Sequence, residues 1–394
     1  MPKPAERLDN LPVYFFAVLT QRIQTLQAQG VDVISLDIGS PDLPPPEPVV
    51  EALAQSARKP NTHGYSGYRG IPEFRKAVSR YYERRFGVQL NSDTEVLALI
   101  GSKEGIVNLS LAYLGAGDSA LIPDISYPSY SMGARIAGGD VHWLPLSAKT
   151  GFLPDITSVP DSVADHAKLL WVNYPNNPTG ATATLDLYQE MVDWSNKHDI
   201  LLVSDNPYVD VTYDGFKASS VLQANNAKNC TIEFMSFSKT FNMGGWRLGA
   251  AVGNAIAIKT LLQVKSNMDS GHFRPIYDAG IVALDTTPQS WIDERNMVYQ
   301  RRRDRIIETL PHIGLKAAIP KGSLYVWAEV EDGDGDNYVK QALDQAHIGF
   351  APGSAYGTGG KKYIRISLGI SDERLEAALE RLKTWYPNRK PLQD

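Results

Sequence analysis

Along this chain the spacing of apolar residues changes period repeatedly, and each change predicts an element. Residues 13–29 place apolar side chains at helical spacing and stop at Gly30, a suitable C-cap. Residues 31–38 alternate like a strand. Gly39-Ser-Pro-Asp-Leu-Pro-Pro-Pro46 then breaks all regular structure and marks a crossing between two parts of the chain. Helices are predicted over 47–58, with an acidic first turn, and from Pro72 to Phe86. Between them lies an aromatic, glycine-rich loop, His63-Gly-Tyr-Ser-Gly-Tyr-Arg-Gly70.

From residue 95 onward short apolar runs recur at 95–100, 119–123, 140–144, 169–173, 201–204, 231–235 and 248–252. Helical patterns such as 106–114 and 185–197 separate several of them. Strands alternating with helices predict an α/β fold whose mostly parallel sheet is covered on both faces. A long charged helix follows at 288–310, then two alternating, half-exposed strands at 322–329 and 363–368, and a closing helix at 373–385. The expected division is a large domain at 43–286 and a smaller α+β domain built from 1–42 and 287–394.

The length, 394 residues, suits two domains at about 150 residues each. A net charge of −5 with scattered Lys and Arg gives no basic patch, so no nucleic-acid partner is expected. Arg301-Arg-Arg303 reads as a solvated helix face beside Asp304 and Glu308. One cysteine, Cys230, leaves no intrachain disulfide framework and fits a reducing compartment. The start has no apolar signal-type stretch, and no run of about 18 apolar residues occurs. The expectation is a soluble, cytoplasmic protein with no membrane partner. Three look-alike motifs fail on spacing. Gly64-x-x-Gly67-x-x-Gly70 lacks the dinucleotide pattern, and Gly357-Thr-Gly-Gly-Lys-Lys has Ala355 where a P-loop has its first glycine. Asp332-Gly-Asp-Gly-Asp-Asn has Asn337 and Leu343 where a calcium loop needs glycine and glutamate. No metal site is expected.

Candidate chemistry gathers around Ser236-Phe-Ser-Lys-Thr-Phe-Asn-Met-Gly-Gly-Trp-Arg-Leu-Gly249, which sits between two apolar runs. A lysine on a loop, framed by hydroxyls, glycines and an arginine, suits an imine with a phosphorylated aldehyde. Gly101-Ser-Lys-Glu-Gly105 follows a strand and opens a helix, where backbone N–H groups attract an anion; taken by itself, a plain capped turn is the better reading. Asp205 ends an apolar strand with Tyr208 three positions on, placed either to hold a ring nitrogen protonated or to cap a helix. Asn173-Tyr-Pro-Asn-Asn-Pro-Thr-Gly180 is a turn leaving a strand, and Tyr127 offers an aromatic face. Arg365 lies in an alternating strand, where an inward arginine is costly unless paired.

Ser-x-Ser-Lys with Arg eight positions later, Asn-x-Pro-x-Asn-Pro-Thr-Gly, Gly39-Ser-Pro-Asp and Tyr363-Ile-Arg-Ile-Ser-Leu368 together resemble the class I/II aminotransferases, pyridoxal-phosphate (PLP) enzymes of fold type I. Within that class the chain is similar to the LL-diaminopimelate and alanine aminotransferase subgroup. The resemblance implies that Lys239 carries the cofactor and the substrate proton, with Asp205 and Tyr208 as further catalytic groups. It implies that Ser102, Lys103, Glu104, Ser236, Ser238 and Arg247 surround the phosphate, while Tyr127 stacks on the ring and Asn177 joins Tyr208 at its phenolate oxygen. Gly39, Asn177 and Arg365 would bind the substrate carboxylate, with Tyr14, Tyr68 and Arg274 nearby. The implied assembly is a homodimer with shared active sites, Tyr65 reaching the partner's phosphate.

The implied reaction moves an α-amino group from an amino acid to a 2-oxo acid, such as 2-oxoglutarate or pyruvate. Two departures bear on the substrate. Tyr68 and Arg69 stand where diaminopimelate enzymes carry Glu-Gln, and Arg274 adds a charge where none is expected. LL-Diaminopimelate, alanine, glutamate and aspartate therefore remain open as donors, and a carbon–sulfur β-lyase, a pyridoxal-binding regulator and a non-catalytic binding protein remain as other classes.

Overall fold

The computed structural model describes residues 1–5, 8, 11 and 15–390. After a helix at Phe15–Ala28 comes β1 (Ile34–Ser35), much shorter than the strand expected over 31–38. Seven strands then form the main sheet: β2 (Val96–Leu99), β3 (Ser119–Pro123), β4 (Asp140–Leu144), β5 (Ala167–Val172), β6 (Leu201–Asp205), β7 (Thr231–Ser236) and β8 (Gly249–Gly253). Their order across the sheet is β2-β8-β7-β6-β5-β3-β4. Only β8 runs against its neighbours, so β2 to β7 all point one way and bring their carboxyl ends to a common edge.

Alternate residues of these strands enter different cores, which is why the runs read as continuously apolar. Leu97, Leu169, Trp171 and Phe234 pack with Ile106, Leu109 and Leu261 on one face. Val96, Leu170, Val172 and Leu202 pack with Phe74, Val78, Met191 and Tyr277 on the other. The covering helices have legible ends. Pro72–Phe86 starts on a proline, carries Arg84 and Arg85 in its last turn and stops at Gly87, whose φ of 70° favours glycine.

The remaining strands are β9 (Leu315–Lys316), β10 (Tyr325–Val330), β11 (Ile348–Gly349), β12 (Ala351–Pro352) and β13 (Tyr363–Ser367). They form an antiparallel sheet, β12-β13-β10-β9, and a short parallel pair of β1 with β11. Contrary to expectation, β10 and β13 are buried on both faces. Val326, Ala328, Ile364 and Ile366 pack under the helices Gln289–Thr309 and Asp372–Trp385, while Trp327 and Tyr363 pack with the neighbouring Tyr356 and with Ile125 and Leu146 from the first half of the chain. Arg302 and Arg303 also depart from the expected solvated face. Arg302 is buried between Asp42 and Asp372, Arg303 reaches Asp214 and the Pro320 carbonyl, and only Arg301 is exposed. Among the described residues no helix is long and apolar enough to cross a membrane, and no cluster of three or more His, Cys, Asp or Glu could hold a metal.

Candidate active site

The loops leaving β2, β3, β5, β6 and β7 meet the segment 37–40 and β13 around a cleft of about 470 Å³. Lys239 stands at its centre. It lies in a single helical turn, Phe237–Thr240, and not on the expected loop; the Ser236 hydroxyl caps that turn by accepting the Ser238 N–H at 3.2 Å. The Lys239 Nζ donates to the Gly39 carbonyl. Burial lowers the pKa of this amine; repulsion from Arg365 and Arg247 adds to the shift, while Tyr325 opposes it.

At one end of the cleft Asp205 closes β6 and is only 3% exposed. Its Oδ2 accepts from the Tyr130 hydroxyl at 2.8 Å, and Tyr130 is held by stacking on Trp171 at 4.8 Å. Asn173 donates to the Asp205 carbonyl at 2.6 Å. The other carboxylate oxygen, Oδ1, is buried without a partner. Burial pushes the Asp205 pKa up to about 7, against the pull of the Tyr130 hydrogen bond. A buried carboxylate with one unsatisfied oxygen on a cleft fits a cationic ring nitrogen. Tyr208 lines the same cleft, its hydroxyl 3.0 Å from that of Tyr325.

The phosphate-sized end is built on the helix Ser102–Tyr113, which begins immediately after Gly101, four residues earlier than the helical pattern at 106–114 predicted. Gly101 has φ 73°, and a Cβ there would come within 2.3 Å of the Arg247 guanidinium, so only glycine lets that side chain cross the helix start. Arg247 itself has φ 60° and donates to the Gly244 carbonyl at 2.9 Å, and its own carbonyl lies 2.7 Å from His272 Nε2. Ser102, Lys103, Ser236 and Ser238 line this end with it. Free helix N–H groups, hydroxyls and a guanidinium together fit a phosphate dianion. Glu104 does not join them through its side chain. Its carboxylate accepts from the Ile100 N–H, from Asn108 and from the buried Lys265, which also pairs with Asp269.

At the opposite end Arg365 is 4% exposed on β13. Its Nη1 donates to Asn177 Oδ1 at 3.1 Å and its Nη2 to the Asp37 carbonyl at 2.6 Å, while Nε is buried without a partner. The guanidinium carbon lies 3.9 Å from the Tyr325 ring centre, 5.1 Å from that of Tyr356 and 5.7 Å from that of Phe16. Gly39, whose backbone was expected to help bind a carboxylate, lies beside this group; a Cβ there would sit 3.1 Å from the Tyr325 hydroxyl. The unsatisfied edge of Arg365 fits a carboxylate.

Other predicted positions fall elsewhere. Tyr65 and Tyr68 are exposed and do not line the cleft, and Arg274 pairs with Asp278 at 3.1 Å in the first turn of its helix, outside the cleft. Tyr14 lies outside the described residues. Tyr127 lines the cleft and packs edge-on against Tyr130 at 5.8 Å. Sequence reasoning passed over Tyr130, although it closes the motif that contains Tyr127, and over Tyr325, whose place opposite Arg365 depends on the pairing of β10 with β13.

The family model for aminotransferase class I and II matches residues 31–382. The chain is 45% identical over 381 residues to an LL-diaminopimelate aminotransferase of Dehalococcoides mccartyi, covering 96% of this chain and 98% of that one. It is 46% identical over 380 residues to an LL-diaminopimelate aminotransferase of Moorella thermoacetica, covering 96% and 97%. Among solved structures, substrate-bound BacF from Bacillus subtilis superposes with a TM-score of 0.93 at 34% identity, covering 98% of each chain.

Proposed function

Since this chain belongs to the class I and II aminotransferases, enzymes dependent on pyridoxal phosphate, we propose that it transfers the α-amino group of LL-diaminopimelate to 2-oxoglutarate. What carries the choice of substrate is the likeness, over nearly the whole length, to two enzymes of that name. Bound pyridoxal phosphate supplies an electron sink for the pair left when a substrate Cα loses its proton.

The chain's own residues divide the remaining work. Arg365, with Asn177 and the backbone of Gly39 beside it, takes the α-carboxylate and so points Cα toward Lys239. The Lys239 amine removes the Cα proton and returns it, a task that needs a neutral amine, which its lowered pKa favours. Asp205 holds a positive charge opposite its unpaired oxygen, and Tyr130 keeps the carboxylate aimed. Of the residues lining the cleft, Tyr208 would donate to the ring phenolate and Tyr127 would cover the ring face, while Ser102, Lys103, Ser236, Ser238 and Arg247 would hold the phosphate.

The same reading takes 43–286 as the cofactor-binding domain and 1–42 with 287–394 as a smaller domain that closes over substrate. It takes the enzyme to be a cytoplasmic homodimer in which the exposed Tyr65 reaches the partner's phosphate site. Purified holoenzyme given LL-diaminopimelate or aspartate with 2-oxoglutarate or pyruvate, glutamate with pyruvate, or alanine with 2-oxoglutarate should make a new amino acid fastest with LL-diaminopimelate and 2-oxoglutarate. Faster turnover of another donor would move the assignment to that substrate. Release of pyruvate and ammonia from a cystathionine-type substrate without any acceptor would mark a β-lyase instead. Lys239→Ala should reduce turnover at least about 10³-fold.

A further inference from the structure

Two of the side chains assigned above, Lys239 in its single helical turn and Tyr208 in the turn after β6, stand on different segments, and one buried guanidinium joins them. Arg295, in the helix Gln289–Thr309, is 3% exposed. Its Nη1 donates to the Lys239 carbonyl at 2.9 Å and to the Thr240 carbonyl. Its Nη2 donates to the Asp210 carbonyl and, at 2.7 Å, to Asn296 Oδ1, which Nε also meets at 3.2 Å. Asn296 Nδ2 donates to the same Asp210 carbonyl at 3.0 Å. The Asp210 carboxylate is engaged elsewhere, with Arg85 at 2.9 Å and the Tyr81 hydroxyl. Arg295 therefore directs its fork at three main-chain carbonyls.

A buried cation on neutral acceptors is costly to keep, so its geometry needs an account. A one-turn helix leaves its last carbonyls without intrahelical donors. Arg295 supplies those donors at the residue whose side chain must move between cofactor and substrate. Its other edge fixes a carbonyl two residues beyond Tyr208, in the turn closed by Val211 N–H on the Tyr208 carbonyl at 2.9 Å. A lysine would serve one of these sites, whereas a planar fork spans both at a set separation.

We propose that Arg295 is a positioning residue for amino-group transfer, holding the main chain of Lys239 at a fixed distance from the Tyr208 turn while the lysine side chain moves. This rests on the assignment of Lys239 as the proton carrier. The test compares holoenzyme carrying Arg295→Lys with holoenzyme carrying Arg303→Lys. Arg303 is equally buried on the same helix but bonded to Asp214 and the Pro320 carbonyl. Three quantities are read: melting temperature, kcat against KM, and the pH midpoint of the absorbance change of the lysine-bound cofactor.

Arg295→Lys should lower kcat about 10- to 100-fold with KM changed less than threefold, the scale expected for misplaced reacting groups, and should displace the spectral midpoint. Arg303→Lys should leave kcat and midpoint unchanged at a similar loss in melting temperature. Asn296→Ala, which frees the Arg295 edge without removing it, should act in the same direction more weakly, and it decides the matter if Arg295→Lys does not fold. Matched kcat and matched midpoints in the Arg295 and Arg303 variants, or an unchanged Asn296→Ala enzyme where Arg295→Lys gives no protein, would overturn the proposal. Turnover surviving in Lys239→Ala would instead remove the assignment on which it rests.

Discussion

The two ends of the cleft each bury a charged group with one edge unsatisfied, and they compensate for it differently. At the Asp205 end a single hydroxyl, from Tyr130, meets one carboxylate oxygen, and the carboxyl answers its burial by holding its proton up to about pH 7. At the Arg365 end the guanidinium cannot lose its proton under ordinary conditions. There the structure spreads the charge over three aromatic faces, one carbonyl and one amide oxygen. The lesson is that a carboxylate can wait for its partner as a neutral acid, whereas an arginine must be caged as a cation. The Asp205 end should therefore respond to pH and the Arg365 end should not.

The largest expected effect is at Asp205. Asp205→Asn keeps the shape but removes the charge, and should lower kcat by roughly 10²–10³-fold with a smaller change in KM. A variant within threefold of wild type would show that the unpaired oxygen faces no cation. Arg365→Gln should act mainly on KM, raising it about 10- to 100-fold for every carboxylate substrate by the same factor from pH 6 to pH 9, because a fixed cation is exchanged for a neutral amide that cannot titrate. A pH-dependent KM defect would contradict the contrast drawn here.

The third effect is on stability. A carboxyl whose folded pKa is raised contributes stability fully present below its unfolded pKa of 3.8, and this is lost as pH rises through about 7. For Asp205 in cofactor-free protein that loss is about 4 kcal/mol between pH 4 and pH 8. Urea unfolding should show wild type falling across this window by more than Asp205→Asn does, and cofactor should flatten the wild-type curve. Parallel curves for the two cofactor-free proteins would sink the idea. The smallest effect belongs to Tyr130→Phe. It removes a hydrogen bond that lowers the Asp205 pKa, so the upper edge of the same window should move above pH 7, with a stability loss of about 1 kcal/mol and less than tenfold in kcat.

Much of this molecule was legible residue by residue. The runs at 119–123 and 140–144 are strands to the residue, and the helix from Pro72 to Phe86 begins and ends where its proline and Gly87 say. Lys239, Asn177 and Arg365 could be picked out because the short motifs that contain them resemble those of the aminotransferases, Arg247 by its place eight positions after Lys239, and Asp205 by its place at a strand end, where a helix cap is as good a reading until Lys239 is considered. Tyr130 could have been found from the same motif as Tyr127, whereas Tyr325 and Arg295 carry no local signal. Tyr130 meets Asp205 across 75 positions, and Arg295 meets Lys239 across 56.

The sequence by itself determined the α/β alternation and the strand ends at which the candidate residues stand, since these follow from periodicity, capping and turn chemistry over a few neighbouring residues; the proposed role of Lys239 came from the resemblance of its motif to the aminotransferases. Tertiary structure alone decided that Arg302 and Arg303 are buried, that β10 and β13 have no solvent face, and that Arg274 lies outside the cleft. It also decided which buried charges were left with an open edge. Those outcomes depend on which distant segments are packed together, because burial and the removal of water set the state of a charged group, and no local stretch of chain contains that information.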